Sequence, residues 1–165
     1  GFERAFQPYR WLEAESARQH EFGTVRRNPA LSGGAALWLN TPMPIEGASA
    51  TYAFSLREAR AYTLWLAVCG VPSGSIEWQI APAGEAEAKP LAEGMTVLSA
   101  ERAASRYADQ CYWLPLGTAT LNAGEYRLTL HWKPSTAQPP HYAEWDAILI
   151  APPSIQPKHI LPPAY

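Results

Sequence analysis

The sequence predicts an all-β domain, a β-sandwich or jelly roll, on three observations. Apolar and polar side chains alternate at period two along most of the chain, the signature of strands with one buried face. Clusters of Gly, Pro, Ser and Asn recur between the alternating runs, where tight turns need them. Sixteen prolines in 165 residues are roughly twice the average share of about 5 %. Proline lacks the N–H that a helix interior requires, so long helices are disfavoured.

In chain order, strands are expected at Tyr9–Glu15, Thr24–Arg27 and Gly34–Asn40. A fourth follows where Ala50, Tyr52, Phe54 and Leu56 alternate with Thr51, Ala53, Ser55 and Arg57. Ala61–Cys69, then Ile76, Trp78 and Ile80 alternating with Glu77 and Gln79, and Met95–Leu98 continue the series. Cys111–Leu121 precedes the cleanest alternation, Tyr126, Leu128, Leu130 and Trp132 against Arg127, Thr129, His131 and Lys133. A slip of one residue there would expose the whole apolar set, so register is well specified. Ala143–Ala151 closes a set of about ten strands, the number a sandwich needs. Ala100–Ala108 has helix-forming composition without a cap and is assigned a single turn or a loop. Residues 1–8 and 152–165 are expected to flank the domain, the first as a linker, the second as a Pro-rich linker or packing tail. The domain itself spans residues 9–151.

Hydrophobic residues make up 47 % and charged residues 17 %. That composition supports one core and excludes a disordered chain. A formal net charge of −2, with basic residues scattered singly apart from Arg26-Arg27, argues against nucleic acid or an anionic membrane as partner. The longest apolar run, Tyr62 to Val71, is about half of what spans a bilayer, so no membrane insertion is expected. No secretion signal opens the sequence. Only two aspartates, Asp109 and Asp146, are present, with no nucleophile-elbow, zinc or phosphate-loop pattern, so no catalytic residue is assigned. Cys69 and Cys111 lack metal-ligand spacing and are either buried thiols or one bridge.

Glu13-Ala14-Glu15 is more specific. On an extended strand both glutamates point to one side, about 7 Å apart, where their repulsion favours a screening cation. Asp146 lies in the apolar run Trp145–Ile150, where a buried carboxylate needs a partner. Calcium takes 6 to 8 oxygens and would suit these three acids. The alternative is two solvated glutamates on an edge strand and an Asp146 bonded to backbone.

Four segments in order resemble the carbohydrate-binding modules of families 6 and 35, β-sandwiches related to the galactose-binding-domain fold. They are Glu13-Ala14-Glu15, Tyr62-Thr63-Leu64-Trp65-Leu66, Leu121-Asn122-Ala123-Gly124-Glu125-Tyr126 and Trp145-Asp146-Ala147-Ile148. The resemblance spans Tyr9 to Ala151. It implies a structural calcium on Glu13, Glu15 and Asp146, with loop carbonyls completing the shell. It also implies a polysaccharide or oligosaccharide ligand, gripped by loop aromatics at one end of the sandwich. Trp113 is the first candidate platform, with Tyr112 beside it. Arg106, Tyr107, Lys133, His141 and Tyr142 fall in loops that the resemblance brings to the same end; Arg106 or Lys133 would suit a uronate or sulfate. Two family positions differ here: Val68 stands where an aromatic is expected, and Glu144 where asparagine is common.

Trp38 and Trp65 lie opposite the inward sets Leu37/Leu39 and Leu64/Leu66, offering a second face unless a tail or neighbouring domain covers it. The resemblance places Cys69 and Cys111 at strand ends leading to the binding loops, and a disulfide there would tie them. The implied protein is a monomeric, non-catalytic module of a secreted or extracytoplasmic polysaccharide-degrading enzyme, attached to that enzyme's catalytic domain. The rivals are a structural module of the same shape that binds no sugar, and a small jelly-roll lyase or hydrolase.

Overall fold

A computed structural model describes residues 8–22, 24–39, 46–70, 74–84, 88–98, 105–107, 111–134 and 143–158. Twelve strands form among them: β1 (Arg10–Glu13), β2 (Gln19–His20), β3 (Thr24–Arg27), β4 (Ala35–Leu39), β5 (Ala48–Leu56), β6 (Arg60–Cys69), β7 (Ser75–Pro82), β8 (Ala92–Val97), β9 (Ser105–Tyr107), β10 (Cys111–Leu121), β11 (Gly124–Lys133) and β12 (Ala143–Ala151). Two antiparallel sheets face each other. One runs β3-β4-β12-β6-β10-β9 with β1 also paired to β12, and the other runs β2-β5-β11-β7-β8. This is the predicted all-β sandwich.

The alternation in β11 sets its sheet. Tyr126, Leu128, Leu130 and Trp132 are buried, and they lie in register with Phe54, Tyr52, Ala50 and Ala48 of β5 on one side and Pro82, Ile80, Trp78 and Ile76 of β7 on the other. Across the core they meet Tyr62, Leu64, Leu66 and Val68 of β6 and Tyr112, Leu114 and Leu116 of β10. At roughly 25 cal/mol per Å² of apolar surface removed from water, this shared core is the main force joining the sheets.

The seven-stranded sheet is buried on its outer face as well. Trp65, Ala67, Trp113, Ala147 and Leu149 form a second cluster there with Tyr9 and Leu31, and Trp11 and Ile155 pack against it. Pro152 and Pro157 of the C-terminal segment are also buried. Of the two readings of Trp65, an open second face or a face covered by a tail, the structure has the covered one: Trp65 is 7 % exposed, packed in a cluster with Tyr9, Trp11 and Ile155. Trp38 stays half-buried.

Two further expectations change. Glu13 ends β1, and Ala14–Ser16 is a 3-10 turn rather than extended strand. Of the segment near 100–108, expected as a turn or loop, the described part is a strand. Residues 105–107 form β9, paired through Ser105↔Trp113 and Tyr107↔Cys111, while 99–104 and 108–110 lie outside the described residues.

Candidate functional site

β12 lends one edge to two neighbours. Its start, Ala143–Trp145, pairs with β4, and its continuation, Ala147–Ile150, pairs with β1. Between them the register against β6 shifts at Trp145/Ala147, so Asp146 is the extra residue of a β-bulge, a device that re-aims one side chain out of the pleat. Asp146 is 0 % exposed. Two 3-10 turns close on this seam, Ala14–Ser16 after β1 and Ser32–Gly34 before β4. The Tyr52 hydroxyl, from β5 of the opposite sheet, donates to the Ala14 carbonyl (2.8 Å) and fixes the first turn.

The three predicted acids meet here. Asp146 Oδ2 accepts the Ser32 backbone N–H (3.0 Å). Glu13 Oε1 accepts the Ser32 hydroxyl (2.8 Å) and the Trp11 indole N–H (3.1 Å). Gly33 sits against Glu13 and Glu15: a Cβ on it would stand 3.1 Å from Glu13 Cδ and 3.2 Å from Glu15 Oε1. Its φ of +60° also favours glycine. Glu13 Oε2 and Glu15 Oε2 are buried with no hydrogen-bond partner. Burial pushes the Glu15 carboxyl up to about 7; the charges of Glu13 and Asp146 add to the rise and a backbone hydrogen bond opposes it. The same burial, with Glu15 nearby, raises the Tyr52 phenol.

Among the described residues no group of three or more His, Cys, Asp or Glu side chains is arranged so that it could hold a metal ion as it stands. The donor set nevertheless fits a hard cation. It is all oxygen, two buried carboxylate oxygens are unsatisfied, and the glycine leaves space beside them.

The disulfide Cys69–Cys111 is formed, with Cα atoms 4.0 Å apart, and it joins directly opposed residues of β6 and β10. The two leading aromatic candidates are not platforms. Trp113 is 0 % exposed and meets Trp11 edge-on, with centroids 5.2 Å apart at 67°. Tyr112, 2 % exposed, belongs to the core between the sheets. β10 begins at Cys111, where the sequence expects it, and lies between β6 and β9, with Tyr112 turned to the core between the sheets and Trp113 to the covered outer face. Lys133 is exposed, and its ammonium donates to Glu77 Oε1 (2.9 Å), a bond that holds the Glu77 carboxyl below its ordinary range. Arg106 and Tyr107 are placed by backbone only, opposite Tyr112 and Cys111. His141 and Tyr142 lie outside the described residues.

Sequence reasoning missed an open cleft of about 460 Å³ on the outer face of the five-stranded sheet. Its floor is Thr51, Ala53 and Ser55 of β5, and Arg18, Glu125 and Arg127 stand around it. The small outward residues of β5 leave the room, and Arg18 is set at the edge by its backbone N–H on the Thr51 carbonyl (2.7 Å). Arg18 makes no ion pair among the described residues. The polar side of the β5 and β11 alternation was the available signal.

No protein-family model matches the chain, and no curated protein does. Solved structures do. A family 6 carbohydrate-binding module from Cellvibrio mixtus lichenase 5A, in complex with cellotriose, superimposes with a TM-score of 0.57 at 14 % identity, over 86 % of this chain and 95 % of that one. The C-terminal family 6 module of the laminarinase LamC from Zobellia galactanivorans gives 0.56 at 17 % identity, over 87 % and 98 %. A Podospora anserina β-1,4-mannanase carrying a family 35 module gives 0.57 at 17 % identity; the match covers 91 % of this chain but only 29 % of the mannanase. The fold is that of carbohydrate-binding modules of families 6 and 35.

Proposed function

We propose that this chain is a non-catalytic carbohydrate-binding module of a secreted polysaccharide-degrading enzyme, holding glycan in the outer-face cleft and calcium on Glu13, Glu15 and Asp146. The observation that carries the reading is the superposition with a cellotriose-binding module over nearly the whole length of both chains. Calcium on the three acids would neutralise charges that the fold buries together. Its part is structural, fastening the turns after β1 and before β4 to β12. No helix among the described residues is long and apolar enough to cross a membrane, which agrees with a secreted module.

The cleft sets the ligand chemistry. Its volume lies within the range of small-molecule sites, roughly 300–1,000 Å³. The aromatics among its lining, Tyr52, Phe54 and Tyr126, are buried in the core, so the floor of Thr51, Ala53 and Ser55 offers no open ring for a sugar face. Arg18 stands at the cleft's edge without an ion pair among the described residues, and a guanidinium fork pairs with carboxylate or sulfate through two parallel hydrogen bonds. The expected ligand is a glycan bearing acidic groups. Electrophoresis of the whole chain through gels containing polygalacturonate, chondroitin sulfate or neutral β-glucan tests this. Retardation by an acidic polymer is expected, with Arg18→Ala weakening it about 10-fold or more, as loss of a charge-assisted contact implies. Retardation by the neutral polymer alone would keep the module and move its site away from Arg18.

A structural module that binds no sugar is the second reading. It is favoured by the edge strand β8, where Met95 and Val97, with Leu91 just before the strand, are 60 %, 53 % and 59 % exposed. No retardation by any polymer selects it.

A further inference from the structure

The hydrogen bonds behind the three acids are arranged asymmetrically. Glu13 Oε1 receives two donors, the Trp11 indole N–H and the Ser32 hydroxyl, at 3.1 and 2.8 Å. Glu13 Oε2, which is buried, receives none. A serine hydroxyl has one proton, and here it points to Glu13, so its lone pairs face the indole N–H, which lies 3.3 Å away. The indole N–H is thus shared between the carboxylate and the hydroxyl. The Ser32 backbone N–H donates to Asp146 Oδ2 at 3.0 Å. One 2 %-exposed serine therefore touches a carboxylate from β1 and another from β12, while the next residue, Gly33, packs against Glu13 and Glu15.

We propose that Trp11 and Ser32 are positioning residues of the cation site, saturating the outer oxygen of Glu13 so that its inner oxygen is presented to the ion. This rests on the reading of Glu13, Glu15 and Asp146 as cation ligands. Donors aimed at the far oxygen of a ligating carboxylate fix its rotamer and orientation, which is how outer partners tune metal affinity. Trp11 reaches further, because its ring packs edge-on against Trp113 in the cluster covering the seven-stranded sheet. By linkage, an ion that favours the bonded position of Glu13 also favours the seated position of Trp11, and a seated Trp11 favours the ion.

The test is calcium titration of the whole chain, stripped with chelator, by calorimetry and by thermal unfolding with and without calcium. Wild type is expected to bind calcium and to gain in Tm with it. Trp11→Phe keeps the ring and removes the N–H; Ser32→Ala keeps the backbone donor and removes the hydroxyl. Each is expected to weaken calcium binding about 10- to 100-fold, the usual effect of losing an outer partner, and to shrink the calcium-dependent gain in Tm. Wild-type tryptophan emission should also shift with calcium, and that shift should be lost in Trp11→Phe. If either variant unfolds, the other still decides. Variants that lower Tm equally with and without calcium, at unchanged calcium affinity, would show a merely structural role and overturn the proposal. A wild type that neither binds calcium nor gains Tm removes the cation reading itself, and the positioning role with it.

Discussion

Glu15 shows at the scale of one residue what the fold asks of its acids. Its carboxyl is raised from 4.5 to about 7, chiefly by burial. The unfolded chain ionises this group near 4.5, while the folded chain holds its proton up to about 7. Between those values the folded state binds more protons, so stability falls as pH rises through the window, and the penalty is complete above it. In chelator, the urea midpoint of wild type should fall between about pH 4.5 and 7 relative to Glu15→Gln, in which this position no longer titrates. Parallel profiles for the two proteins would remove the assignment. That Glu13, Glu15 and Asp146 lie near one another followed from the family resemblance and not from strand spacing, since Ala14–Ser16 is a 3-10 turn and not the extended strand that would put both glutamates on one side. Trp11 and Ser32 were not legible in the sequence, since Ser32 reaches Glu13 across 19 residues and Asp146 across 114, and no local spacing encodes such a contact. Trp113 illustrates the opposite limit. A tryptophan suits a sugar face and a core equally well in sequence, and its exposure here is decided by Trp11, on a strand distant in the chain.

Among the elements, β10 departs most from regular strand geometry. Pro115 cannot donate to a ladder, and the pairing with β6 shifts register between Pro115 and Gly117. The freed Leu116 carbonyl accepts the Thr96 hydroxyl at 2.6 Å and the Trp78 indole N–H at 3.3 Å, tying both sheets together at the irregularity. Trp78 fits there only because two glycines flank it. A Cβ on Gly117 would stand 2.6 Å from the Trp78 ring, and one on Gly94 2.8 Å. Gly117→Ala is therefore expected to cost about 1–3 kcal/mol by overpacking, read as a lower urea midpoint; an unchanged midpoint would mean that the indole has room to move. Strong alternation made β5, β7 and β11 legible within a residue or two, whereas the two-residue β2 and three-residue β9 carry too few side chains for a period to show. The segment near 100–108 read as a turn because alanine and arginine favour helix locally, and pairing with β10 overrides that preference in its last residues.

At the scale of the whole molecule, the seven-stranded sheet is a middle layer. Its inner face meets the other sheet, and its outer face is closed by residues from both flanks of the chain, Tyr9 and Trp11 at one side and Ile155 at the other. Reading residues 152–165 as a linker or packing tail left open which it is, because proline-rich composition fits both. Buried Pro152 and Pro157 and the contacts of Ile155 make the first half of the segment packing. A chain ending at Ala151 should lose about 2 kcal/mol in urea unfolding, the scale of one apolar side chain returned to water, with red-shifted emission as Trp65 opens. Unchanged stability and emission would return the segment to the linker reading. The path of the chain also fixes how the molecule would answer traction. β1 and β12 are antiparallel neighbours, with Arg10 opposite Ile150 and Glu13 opposite Ala147, so Tyr9 and Pro152 leave the pair at the same end. Load applied through them falls on one pair of hydrogen bonds at a time, beginning at Arg10–Ile150, instead of shearing all four together. Peeling then reaches Glu13 last, beside the Asp146 bulge, and an ion bridging those carboxylates would be the rivet at which the tear stops.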